Sequence, residues 1–121
     1  MATTFTKKIL SGSTDGKAIK VVQTATAGTT IHTGSATATT IDEVWLYAVN
    51  SSASAVKLTL EWGEAAAPDG NIELSVAAES GLVLLVPGLL IKGNATALVV
   101  KAFAATANVI LIHGYVNQIT V

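Results

Sequence analysis

The chain contains no cysteine and no arginine. Without thiols neither a disulfide framework nor a thiolate metal site can hold the fold. Without arginine the usual bidentate reader of phosphate and guanine is missing, which argues against a nucleic-acid binder. Lys7, Lys8, Lys17 and Lys20 gather near the amino terminus, but they are scattered among Thr, Ser and Gly and balanced by Asp15. That pattern is a solvated arm, not a phosphate track. Charge of either sign is scarce, at 12% of residues against about a quarter in ordinary soluble domains. Long apolar runs are lacking too: Leu82–Ile91 is broken by Pro87 and Gly88 and is about half the ~20 residues of a spanning helix. No membrane segment is expected. Lys7 and Lys8 follow the apolar Phe5 with no hydrophobic region behind them, the wrong order for a signal peptide, so synthesis in a cytoplasm is the expectation.

What is present points to strands. The 121 residues suit one domain with a single core. Half of them are hydrophobic but only 5% are aromatic, so the apolar side chains are mainly Ala, Val, Leu and Ile. With abundant Thr and Gly they favour short strands and tight turns, an all-β domain. A mean hydropathy of +0.57 with net charge −1 leaves little of the charged surface that keeps copies of a monomer apart. The excess apolarity is read as surface buried against partners.

The chain is organised around Ile41 to Gly63, IDEVWLYAVNSSASAVKLTLEWG, which reads as two strands folded back as a hairpin. In the second strand Val56, Leu58, Leu60 and Trp62 alternate with Lys57, Thr59 and Glu61, one buried face. In the first, Val44, Leu46 and Ala48 face one way and Trp45, Tyr47 and Val49 the other, so cover on both faces is expected. Asn50 to Ser54 make the loop, with side chains suited to bonding nearby backbone. Further strands are expected at Thr4–Leu10, Lys20–Gln23, Thr29–Thr33 as an edge, and Asn71–Val76 after the Pro68-Asp69-Gly70 turn. Leu82–Val86 reads as a buried strand ended by Pro87 and Gly88. Ala97–Ala104 and Asn108–Asn117 read as a second hairpin, and any helix would be one turn near Glu64–Ala67. The expectation is a single antiparallel β-sandwich, jelly-roll-like, over residues 19–121, preceded by an extended N-terminal arm over residues 1–18.

Chemistry-bearing residues are few and dispersed. His32 lies in a Thr-rich edge and His113 in an apolar strand, and neither has a neighbouring ligand at metal spacing. For His113 a buried or half-buried imidazole satisfied by backbone is expected. Asp42 and Glu43 point to opposite faces of a strand and cannot cooperate simply. They and the Glu61, Glu64 pair read as solvated strand ends, without the cleft a glycosidase requires. Asp69, Gly70 and Asn71 lack the further ligands of a calcium loop, and Ser80-Gly81 lacks the nucleophile-elbow pattern. Trp62 shares a face with core residues, whereas Trp45 and Tyr47 are available for a subunit surface or for stacking on sugars.

The order of these segments is itself informative. A Thr-rich start leads to the central stretch, a Pro-Asp-Gly turn, an alternating strand, the apolar run LVLLVPGLLIKGN and the closing pair ALVVKAFAATANVILIHGYV. Over about Thr29 to Val116 it resembles the small all-β virion proteins of tailed bacteriophages. In these an apolar strand ending in Asn and a Ser-rich loop precede a second strand, and a Gly-Asn turn precedes the last hairpin. Size, absence of catalytic motifs and weak surface charge are similar to those of capsid decoration, or cement, proteins. The resemblance implies a homotrimer on the outer capsid surface of the virion, made in the host cytoplasm, that bridges major capsid protein subunits and stabilises the shell. It implies no enzyme activity, cofactor, metal, nucleic acid or membrane partner. Phe5, Ile9 and Leu10 of the arm, with Trp45 and Tyr47, are the expected contact residues. A tail, fibre or head-to-tail junction module, binding a glycan or receptor, is the alternative.

Overall fold

The computed structural model describes residues 2–121, so Met1 of the expected arm lies outside the described residues. Nine strands form: β1 (Thr4–Ile9), β2 (Ile19–Lys20), β3 (Thr29–Thr33), β4 (Thr40–Asn50), β5 (Val56–Trp62), β6 (Asn71–Val76), β7 (Val83–Lys92), β8 (Val99–Ala104) and β9 (Ile110–Thr120). There is no helix among the described residues, and Glu64–Ala67 is an irregular loop. One sheet runs β1-β9-β4-β7, with β2 also paired to β9; the other runs β3-β8-β5-β6. Every strand pair is antiparallel. The fold is an all-β sandwich of two antiparallel sheets.

The pairs β2·β9, β3·β8, β4·β7 and β5·β6 are nested. A long double strand with β5 and β6 at its tip has been rolled up into two sheets, which is the jelly-roll order. This corrects both expected hairpins. β4 belongs to the first sheet and β5 to the second, and β8 and β9 are split in the same way. The loop after β4 is a corner between sheets. Asn50, 1% exposed, holds it: Nδ2 donates to the carbonyls of Ser54 and Val76, and Oδ1 accepts from the Ser52 amide and hydroxyl. Of the strands adjacent in sequence, β5 and β6 are the pair that hydrogen-bond.

The core lies between the sheets. Val44, Leu46, Ala48, Ile110, Ile112 and Val116 from the first meet Ile31, Leu58, Leu60, Val100, Ala102 and Ala104 from the second, all fully buried. Alternation along β4 is strict: Thr40, Asp42, Val44, Leu46, Ala48 and Asn50 are buried, while the intervening residues are half-buried. The outer side of β4 is therefore a partly open face, not the covered one expected.

Three further corrections follow from the edges. β7 does not stop at Pro87 and Gly88. It passes through them to Lys92 with two register shifts against β4, because an edge strand tolerates a missing N–H and Gly88 takes φ 80° as the extra residue of a bulge. Nor is its apolar run buried, since Leu82, Leu84, Leu89 and Leu90 are all exposed. The strand expected at Lys20–Gln23 is shorter and earlier, Ile19–Lys20, after which Val21 to Gly28 cross the end of the sandwich onto the second sheet.

Candidate interaction surface

The outer face of the first sheet is built in rows by its register. Phe5, Ile119, Ile41 and Lys92 lie side by side across β1, β9, β4 and β7. The next row is Lys7, Asn117, Glu43 and Leu90, and then come Ile9, Tyr115, Trp45 and Pro87. Beyond β1 the rows continue as His113, Tyr47 and Leu84, then Leu111 and Val49. Most of these side chains are apolar or aromatic, and the charges are Lys7, Glu43 and Lys92.

Its centre is ordered. The Trp45 and Tyr115 rings stack at 5.9 Å between centroids and 6° between planes, the offset geometry that aromatic pairs prefer. Lys7 Nζ sits 5.0 Å from the Tyr115 ring centroid on the other side, within cation–π range. On the β7 side the indole abuts Gly88, where a Cβ would lie 3.2 Å from Cε2. Trp45 Nε1 donates to Glu43 Oε1 at 2.8 Å, and Asn117 Nδ2 donates to the same oxygen at 2.8 Å. The Trp45 bond, and after it the Asn117 bond, hold the Glu43 carboxyl below the ordinary carboxylate range.

The structure brings four of the five expected contact residues onto this face: Phe5 (71% exposed) and Ile9 (52%) at one edge, Trp45 and Tyr47 in the middle. Leu10 is a correction. It is 1% exposed and part of the core, because the chain turns inward after β1, with Gly12 N–H on the Ile31 carbonyl. The face also holds Tyr115, Ile119, Ile41, Leu84 and Leu90, which sequence reasoning did not assign to it. Tyr115 and Ile119 share the period-2 set of His113, so the alternation of β9 was the available signal. His113 itself is half-buried on this outer face.

The buried polar groups serve as clasps. His32 Nδ1 accepts the Ser11 N–H at 3.1 Å, so the ring proton is on Nε2 and is donated to Asp42 Oδ2 at 2.7 Å. Asp42 Oδ1 accepts from Gln118 Nε2 at 3.0 Å. This ties β3 of one sheet to β4 and β9 of the other, and leaves the imidazole no free nitrogen. Glu61, 1% exposed, accepts the Gly28 N–H at 2.6 Å and the Thr26 hydroxyl, pinning residues 24–28 across the outer side of the second sheet. Asp42 and Glu61 are thus buried, not solvated strand ends. A cavity of about 300 Å³ beside Glu61, lined also by Glu64, Asn94, Leu98 and Lys101, meets a carboxylate whose two oxygens are already engaged. Among the described residues no three His, Asp or Glu side chains are grouped as metal ligands.

The fold and this face define a jelly-roll module with a broad apolar outer face on its first sheet. No family model, curated protein or solved structure matches the chain.

Proposed function

We propose that this protein is a structural virion component, a capsid decoration or cement protein that binds the outer surface of a phage head and bridges major capsid subunits. It acts by contact and not by catalysis. The observation that carries this is the outer face of the first sheet, with exposed Phe5, Ile9, Leu84 and Leu90 around the Trp45–Tyr115 stack. A face of this breadth exceeds the scattered apolar residues of an ordinary monomer surface and suits burial in an assembly. Added contact area that is present only in the assembled shell stabilises that shell over its separated subunits by mass action. The phage setting rests on the resemblance of its order of strands and turns to that of such virion proteins, and the jelly roll is a fold used in capsid modules and lectins alike.

Between those two uses the geometry of Trp45 favours contact over sugar stacking. A saccharide platform needs an open ring face, and this indole already stacks on Tyr115 and lies close to Gly88. The test is to mix purified protein with shells that lack it. Saturable, stoichiometric binding that raises the melting temperature of the shell is expected. Shells that bind none of it would refute the decoration role and leave the tail or fibre alternative.

A further inference from the structure

We infer that the outer face of the first sheet is covered by the same face of a second copy, about a two-fold axis parallel to the strands and between β9 and β4. This goes beyond the decoration role and stands without it: the face is taken by a second copy, so the unit that would meet a shell is the dimer, through its remaining surface.

The face is of interface size. Four strands at ~4.8 Å spacing and up to eleven residues at ~3.3 Å rise give a flat footprint of roughly 600 Å². The relief of the side chains brings this close to the ~800 Å² per partner of a stable interface. Composition agrees, with aromatic residues at the centre and the charges few.

The pattern of charge and the length of β1 together favour one axis. Face-to-face packing of identical sheets leaves two simple choices. A two-fold axis running across the strands reverses the order of the rows, so that only the row on the axis lies on itself. Placed on the Lys7–Leu90 row it sets Lys7 against the partner's Lys7 and Glu43 against the partner's Glu43; moved to the Ile9–Pro87 row it leaves Phe5 and Lys7 with no strand opposite, because β1 ends at Ile9. An axis along the strands reverses each row instead. Lys7 then meets the partner's Leu90, and Lys92 meets the partner's Phe5, an aromatic ring it can cover. Glu43 meets the partner's Asn117, and Trp45 meets the partner's Tyr115. Ile41 meets the partner's Ile119, Tyr47 the partner's His113, and Val49 the partner's Leu111. No like charges are opposed, and apolar rows fall on apolar rows. Such an interface is self-complementary, as a two-fold contact must be, and the aligned strands match the common way sheets pack. The row assignments come from the observed register.

The experiment uses the full chain alone, without shells, so its failure is separate from failure of the decoration role. Light scattering is expected to give twice the 12.3 kDa chain mass. Leu90→Lys changes a side chain that is 53% exposed, so the fold should persist by circular dichroism. This change opposes a new cation to the partner's Lys7 at two symmetric places, and is expected to raise the dimer dissociation constant at least a hundredfold. Adding Lys7→Glu to the same chain converts both clashes into opposite-charge pairs and restores the dimer. A wild-type monomer, or the trimer that the family resemblance implies, would overturn the inference. So would a Leu90→Lys dimer of undiminished affinity, or a double variant as weak as the single one.

Discussion

Glu43 and Glu61 each accept two hydrogen bonds from within the chain, one on an open face and one beneath a loop, and the difference in cover decides what each does for the fold. Glu61 receives the Gly28 N–H and the Thr26 hydroxyl where water does not reach. Glu61→Ala strands both donors, and hydrogen bonds to a charged acceptor are each worth ~1.5–3 kcal/mol. The variant is expected to lose about 2 kcal/mol or more in urea unfolding, with earlier proteolysis between Thr24 and Gly28. A loss under ~0.5 kcal/mol would mean that the loop is held by something else. Glu43 is a matter of pH. Its pKa is lowered in the fold, by Trp45 first and Asn117 second. Its ionised form therefore stabilises the native state above the ordinary carboxylate range, and that contribution disappears as pH falls through Glu43's own, lower pKa. Melting curves of wild type and Glu43→Gln should differ at neutral pH and converge on acidification below the ordinary carboxylate range. A gap that stays constant would show that the charge is not what Trp45 and Asn117 recognise. The role of Glu61 was not legible in the sequence, because its partners are more than thirty positions away; that of Glu43 was half legible, since Trp45 lies two positions along the same strand face while Asn117 comes from β9.

Elements were legible where their own side chains alternate. Val56–Trp62 and Asn71–Val76 fall where the period-2 pattern puts them, since each has one face in the core, and Thr29–Thr33 falls where its β-branched threonines around Ile31 put an edge strand. Pairing was not legible, because proximity in sequence favours hairpins whereas the rolled double strand joins β4 to β9 and β8 to β5. β1 shows the same division. Its extended form was evident, but its lack of cover was not: all six residues are exposed on both faces, and the ladder to β9 is its attachment. Leu10, one residue further, is buried. An edge strand that buries neither face adds little stability, whereas a large-to-small change at a buried leucine costs about 2–5 kcal/mol. Deleting residues up to Ile9 should therefore lower the unfolding midpoint only slightly, and Leu10→Ala in the intact chain should lower it by the larger amount. The reverse order would mean that β1 packs against more than the β9 edge. Shell occupancy of the two variants separates contact from folding: if β1 carries the arm's contribution to binding, the truncated protein folds yet binds weakly, and Leu10→Ala, when folded, binds normally.

At the scale of the whole molecule the scarcity of charge and the breadth of one face have a common consequence. A sandwich with 12% charged residues that sets its aromatic rows against a second copy gains stability from association, because only the native state presents the face. Mass action then makes the melting temperature depend on protein concentration. Each tenfold increase adds about 1.4 kcal/mol per dimer, which is a few degrees for a unit of this size. Leu90→Lys, by opposing Lys7 of the partner subunit, should flatten that dependence while leaving the melting temperature at high dilution close to that of wild type. The chemistry of the contact is readable from salt. An apolar face with its charges at mismatched positions is little affected by screening with sodium chloride, while sulfate strengthens apolar burial. Melting temperatures that climb with protein concentration and with sulfate, and barely move with sodium chloride, are the expected signature. A steep fall with sodium chloride would instead place ion pairs at the interface, and the rows Lys7–Leu90 and Lys92–Phe5 would then be the wrong register.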